Sequence, residues 1–204
     1  MGKKFFDEIE LFLFDMDGLL FDTETIYVEY GREVAKGKGY TITKEIIEKT
    51  TGLTDERARI IYKEELGQEF PYDEMMGTVK DHILELAKKS EVPLKPGALE
   101  LLEFLRENNK EMILATSSDL FMAEALINGK NLKKYFSYFV TAEDVVHGKP
   151  DPEVFLIGAK KAGVSPKKTA VFEDSFNGIR AAHAAGTFPI MVPDKLKPTE
   201  KIEK

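Results

Sequence analysis

Asp15-Met16-Asp17-Gly18 directly follows the apolar run Leu11-Phe12-Leu13-Phe14. On a strand, residues two apart face the same side, and two rises of about 3.3 Å place their carboxylates ~6–7 Å apart. A gap of that size holds one phosphoryl group, with one carboxylate attacking and the other meeting the leaving oxygen. Gly18 lets the chain leave the strand with little steric restriction. The same four residues would also make an ordinary solvated turn at a strand end. An EF-hand is excluded, because the glycine falls too early and the preceding run reads as strand.

Three further segments repeat the pattern of polar residues after an apolar strand. Met112-Ile113-Leu114-Ala115 runs into Thr116-Ser117-Ser118, and Thr169-Ala170-Val171-Phe172 runs into Glu173-Asp174-Ser175. Between them Gly148-Lys149-Pro150-Asp151-Pro152 sets a lysine in a stiff loop before a helix. Ligands of open α/β sheets bind outside the carboxyl ends of the strands. A hydroxyl, an amine and an extra carboxylate arriving there beside an acidic pair make a phosphate-plus-Mg²⁺ site. Taken singly, each has a plainer reading: Thr116 to Ser118 as a cap for a helix near Asp119, Lys149 as a surface lysine, Glu173-Asp174 as a turn and N-cap pair. Their coincidence at one sheet edge is what argues for chemistry.

The elements that must position these groups are five strands, read as Leu11 to Asp15, Glu111 to Thr116, Tyr138 to Thr141, Thr169 to Glu173 and Pro189 to Val192. Each is nearly continuous apolar sequence, as in a parallel sheet covered on both faces. Helices alternate with them. Pro96-Gly97 opens one; Asp151 caps a second with Pro152 at its first position, and Gly163 ends it; Ser175 caps a third that Gly186 stops. Between Asp22 and Pro93 only helical pattern occurs, with starts at Thr54-Asp55-Glu56 and Asp73-Glu74. One crossover needs one helix, so this stretch reads as a helical module inserted after the first strand, hinged at Gly18 to Asp22 and Glu91 to Gly97. The expected division is an α/β core of residues 1–20 and 93–204 and a helical domain of residues 21–92. Lys195 to Lys204 reads as a charged tail.

Composition narrows the function. The 204 residues are 43% hydrophobic and 10% aromatic, which suits a packed globular chain. Lys and Arg number 29 against 36 acids, a formal charge of -7 that argues against a nucleic-acid partner. Cysteine is absent, which removes disulfides and thiolate nucleophiles and fits a reducing cytoplasm. No apolar run reaches a membrane span, and Met1-Gly2-Lys3-Lys4-Phe5-Phe6 lacks the Ser or Thr of a myristoylation signal. His82, His147 and His183 read as structural or solvated, and neither a G-x-G-x-x-G nor a Walker-type loop occurs.

Taken in order, these motifs resemble the haloacid dehalogenase-like hydrolase superfamily, in its phosphatase and β-phosphoglucomutase branch. The matching segments are Phe14-Asp15-Met16-Asp17-Gly18-Leu19-Leu20-Phe21-Asp22-Thr23-Glu24, Leu114-Ala115-Thr116-Ser117, Gly148-Lys149-Pro150-Asp151-Pro152 and Phe172-Glu173-Asp174-Ser175. The resemblance implies a Rossmann-like parallel sheet of order 3-2-1-4-5 with the helices of residues 21–92 as a cap over the site. It implies Asp15 as nucleophile forming an aspartyl-phosphate and Asp17 as general acid/base. It implies Mg²⁺ on the Asp15 carboxylate, the Asp17 backbone carbonyl and Asp174. Phosphate would meet Asp15, Met16, Asp17, Thr116, Ser117 and Lys149, with Glu173 behind them orienting Lys149 or a metal-bound water. An ordinary Asp, with a pKa of about 3.9, is a poor proton donor at neutral pH, so Asp17 would need desolvation under a closed cap.

The expected activity is hydrolysis of the phosphomonoester of a small metabolite. A metal-free dehalogenase is disfavoured because Asp17 is present. A sugar phosphomutase is the nearer rival, but Tyr27 stands where its cap histidine would be and Asp55 where its phosphate-gripping arginine would be. A regulatory phosphate-binding protein without turnover is the alternative of another class; an intact Asp15/Asp17 pair would have no purpose in it. Neither the substrate nor the oligomeric state is legible in the sequence.

Overall fold

The protein is described by a computed structural model covering residues 3–195. Met1-Gly2 and residues 196–204 of the charged tail lie outside the described residues. Five parallel strands, β1 (Leu11–Phe14), β2 (Glu111–Ala115), β3 (Tyr138–Val140), β4 (Thr169–Glu173) and β5 (Phe188–Met191), form one sheet in the order 3-2-1-4-5. β1 is central: Leu13 pairs with Ile113 on one side and Val171 on the other.

The apolar runs are buried on both faces because successive side chains alternate. Phe12 and Phe14 point into one cluster with Met112, Leu114, Leu102 and Met122, while Leu11 and Leu13 point into another with Ile113, Val171, Val154 and Phe155. Helices α6 (Ala98–Glu107) and α7 (Leu120–Gly129) cover the first face; α8 (Glu153–Ala162) and α9 (Phe176–Ala184) cover the second. Phe14 is fully buried and packs against Phe172 and Phe136, with ring centroids 5.0 and 6.0 Å away.

Five helices lie between β1 and β2; ahead of α6, the insertion contributes α2 (Thr23–Gly37), α3 (Lys44–Thr50), α4 (Asp55–Leu66) and α5 (Tyr72–Lys88). Thr43 and Thr54 cap α3 and α4 by accepting from the backbone N–H groups of Ile46 and Arg57. These helices share a cluster around Ala35, Ile42, Ile46, Phe70 and Met75. The far half of α5 is different. Its Val79, Ile83 and Ala87 belong to the same cluster as Phe14 and Leu102, so the insertion is anchored in the apolar layer of the sheet. The chain segments entering and leaving it run side by side: Phe21 bridges Leu94, and Asp22 N–H donates to the Pro93 carbonyl over 2.9 Å.

Several element ends differ from the sequence expectation. Asp15, Thr116, Thr141 and Val192 fall just outside their strands, and β5 begins at Phe188. α8 starts at Glu153, with Pro152 in the N-cap position and Asp151 Oδ1 accepting from Glu153 N–H over 3.0 Å. Asp151 therefore caps from one residue further out than its sequence position suggests. A helix α1 (Lys3–Glu8) was not legible at all; Phe6 packs on Phe12 and Phe104, and Lys110 Nζ donates to the Phe6 and Ile9 carbonyls. No described helix is long and apolar enough to cross a membrane.

Because Phe14 ends β1 immediately before Asp15, its packing fixes the edge from which the acids project. Truncating Phe14→Ala removes a fully buried ring and is expected to cost about 3–5 kcal/mol of unfolding free energy in denaturant titration.

Candidate active site

The ends of β1, β2 and β4 open into a cleft of ≈ 370 Å³ lined by Asp15, Asp17, Thr116, Ser117, Lys149, Glu173 and Asp174, among others. The structure thus gathers residues separated by more than a hundred positions at one sheet edge, where β1 and its neighbours diverge toward opposite faces. Met16 sits between the two acids with its side chain wholly buried in the apolar cluster, so only its backbone is available to the cleft.

Lys149 is the buried cation of this cleft. Its Nζ donates to Asp15 Oδ1, to Glu173 Oε1 over 2.8 Å and to the Ala115 carbonyl over 3.1 Å. It leaves a loop in which the Lys149–Pro150 bond is cis. Burial alone would favour neutral lysine, but Asp15 and Glu173 outweigh it and hold the ammonium charged, above the ordinary lysine range. Glu173 is fully engaged: its second oxygen accepts from Ser175 N–H and Ser175 Oγ, both over 2.9 Å. Ser175 in turn caps α9 by accepting from Gly178 N–H over 3.0 Å. A side chain at position 178 would collide with the Glu173 carboxylate, so a glycine there is what lets the carboxylate lie on the helix start. Glu173 accordingly links Lys149 to the start of α9.

Asp17 is held apart from this network. Its Oδ1 accepts from Thr23 Oγ1 and its Oδ2 from Ser118 Oγ, each over 2.7 Å. Neither holder was singled out from the sequence, although Thr23 lies within the first motif and Ser118 closes the Thr-Ser-Ser run. Thr116 is buried and its Oγ1 accepts from Ser118 N–H over 3.0 Å, while Ser117 is exposed toward the cleft. α7 is capped by Asp119, which accepts from Met122 N–H over 2.8 Å, leaving Thr116 and Ser117 on the cleft wall.

The cleft is crowded with negative charge. Burial first, then Glu173 and Asp17, raise Asp15 to about 7 despite the opposing pull of Lys149. Asp174 is pushed up to about 9 by burial and by repulsion from Asp15, Glu173 and Glu24. One carboxylate oxygen from each of Asp15, Glu173 and Asp174 lies within 4.8 Å of the others. Since both Glu173 oxygens are taken, Asp15 and Asp174 are the donors left for a cation, and an all-oxygen anionic set suits a hard divalent ion. Gly18 makes room for this arrangement: its φ is +78°, and a Cβ there would collide with Asp174 Oδ2. Thr51 to Asp55 of the helical insertion also line the cleft, held there by Asn177 Nδ2 donating to the Gly52 carbonyl over 3.1 Å.

The chain belongs to the haloacid dehalogenase-like hydrolase family, whose sequence profile matches residues 9–186. A phosphorylated carbohydrates phosphatase of Thermotoga maritima is 34% identical over 182 residues, covering 87% of this chain and 82% of that protein. A fructose-1-phosphate phosphatase of Escherichia coli is 33% identical over 183 residues, covering 85% of this chain and 91% of that protein. The crystal structure of a β-phosphoglucomutase from Clostridium difficile matches with a TM-score of 0.73 at 26% identity, covering 91% of this chain and 85% of that one.

Removing the central ammonium tests the electrostatics directly. Lys149→Met leaves Asp15 buried without its partner, and breaking such a pair costs roughly 3–5 kcal/mol. Asp15 already binds its proton more tightly folded than unfolded, and the substitution strengthens that preference. Stability of the variant should therefore fall as pH rises from about 4 to above 7. Urea titrations at pH 5 and pH 8 should show the larger deficit at pH 8; an equal deficit at both would remove Lys149 from this role.

Proposed function

We propose that this chain, a phosphatase of the haloacid dehalogenase-like family, hydrolyses phosphomonoesters of small metabolites through a phospho-Asp15 intermediate and depends on Mg²⁺. The observation that carries this is the convergence of Asp15, Lys149 and Asp174 on one cleft, with a second acid, Asp17, positioned separately by Thr23 and Ser118. Its relatives named as phosphatases of phosphorylated carbohydrates and fructose-1-phosphate support the substrate class.

Each residue then has a physical task. A carboxylate approaching a phosphate dianion meets several kcal/mol of repulsion at short range, by ~332/(ε·r) at intermediate dielectric. Lys149 offsets part of that charge, and Mg²⁺, held by the Asp15 and Asp174 carboxylates and the Asp17 backbone carbonyl, would supply the remainder. The Thr116 hydroxyl and Ser117 amide hold non-bridging oxygens. The Asp15 carboxylate attacks phosphorus; the P–O bond to the alcohol breaks as Asp17 delivers its proton to the leaving oxygen. Asp17, now ionised, takes a proton from water, whose oxygen attacks the acyl phosphate, releasing phosphate and regenerating Asp15. Residues 21–92 form the cap that excludes water over a core of residues 1–20 and 93–204, and the enzyme works in the cytoplasm.

A mutase needs a grip for a second phosphate. At the position where an arginine would supply it, Asp55 instead accepts from Arg59 and from Tyr72 Oη. Conversion of glucose-1-phosphate to glucose-6-phosphate is therefore expected to be absent.

Phosphate release from an aryl phosphate should require Mg²⁺ and vanish in Asp15→Asn. Activity persisting in that variant would end the phospho-Asp15 reading. Asp17→Asn should lose about 10²–10⁴ in kcat yet keep its thermal stabilisation by Mg²⁺, because a backbone carbonyl is the ligand there. Asp174→Asn should lose that stabilisation in the same thermal melts.

A further inference from the structure

A second cavity of ≈ 250 Å³ opens from the catalytic cleft into the helical insertion. The two share Glu24, Thr51, Gly52, Leu53 and Asp55 in their walls, so the chamber adjoins the space around Asp15 where the group bonded to a bound phosphate would lie. Beyond the mouth the walls are aromatic and thioether: Tyr27, Tyr62, Tyr72, Met75 and Met76, with Ala58 closing one side. Leu53 adds an exposed apolar side chain at the entrance.

Among its lining residues there is no Lys, Arg or His; the only ionisable acids are Glu24 and Asp55. Arg59 lies nearby but is spent on Asp55 and Asp73, at 3.2 and 2.7 Å. Lys195 lines the outer cleft, not this chamber, and donates to Thr25 Oγ1 over 3.0 Å.

Resting on the phosphatase reading above, we propose that this chamber selects a ring-bearing leaving group that carries no charge of its own, and rejects substrates with a carboxylate or a second phosphate. A ring face would pack on the tyrosines and methionines, which offer apolar area with little rotamer cost. Its hydroxyls would donate to Glu24 and Asp55 and accept from the Tyr27 phenol, which burial and the surrounding carboxylates keep in its neutral, proton-bearing form. An anion entering the same space would lose hydration without gaining a counter-charge and would face two carboxyl groups.

The test uses the full chain with Mg²⁺ and compares kcat/KM for glucose 6-phosphate, phosphoglycolate and fructose 1,6-bisphosphate, each divided by the value for acetyl phosphate, whose leaving group is too small to fill the chamber. The neutral ring monophosphate is expected to lead both anionic compounds by about tenfold or more. Two chamber-filling variants, Ala58→Leu and Met76→Phe, should each lower the glucose 6-phosphate to acetyl phosphate ratio by about tenfold; two sites are used so that misfolding of one does not decide the result. Acetyl phosphate turnover accompanied by equal or better use of phosphoglycolate or the bisphosphate, or by an unchanged ratio in both variants, would overturn the chamber's role while leaving the phosphatase reading intact. No phosphate release from any of the four compounds would overturn both.

Discussion

A single buried ammonium holds together the carboxyl-terminal edge of the sheet. Lys149 touches Asp15, Glu173 and the Ala115 carbonyl, so one side chain from the loop before α8 joins the ends of β1, β2 and β4. Without it the end of the sheet would be a set of buried carboxylates with no counter-charge, a state that folding can accept only by protonating them. In the proposed reaction the same charge would offset that of a phosphate approaching Asp15. Structural and chemical demands therefore converge on one residue.

The remaining acids are separated by what binds them. Glu173 is satisfied by Lys149 and Ser175, and Asp17 by two hydroxyls; Asp174 is raised by its neighbours instead. Glu173, Asp17 and Asp174 thus sit in three distinct environments, which lets chemically similar groups take different roles. Two glycines create the space for this. Gly18 bends the chain with positive φ beneath Asp174, and Gly178 lets the Glu173 carboxylate rest on the start of α9.

Much of this was legible in the sequence because the informative signals are local. Apolar runs ending in Asp-x-Asp-Gly, Thr-Ser-Ser and Glu-Asp-Ser marked the strand ends, and the sheet order followed from the resemblance those motifs carry. The absence of strand pattern between Asp22 and Pro93 revealed the insertion. What escaped depended on tertiary contact. The α1 helix is six residues long and has no acidic first turn or basic last turn to signal it. Val79, Ile83 and Ala87 look like any apolar helix stripe, and only packing shows that they join the sheet's layer. Thr23 and Ser118 are ordinary hydroxyls until both are found on Asp17. Asn177 lies two residues past a recognisable cap, yet its partner, Gly52, is in a different part of the chain.

The paired connectors at Phe21 and Leu94 bear on how such a cleft can admit and release a ligand. Two free tethers would let the inserted helices swing and twist about many axes. Cross-linking them through backbone hydrogen bonds at Asp22–Pro93 and Leu20–Lys95 fuses them into a narrow two-stranded ribbon with fewer independent torsions. With α5 rooted in the sheet's apolar layer, that ribbon and the Asn177–Gly52 hydrogen bond tie the wall carrying Gly52 and Leu53 to the core from two sides.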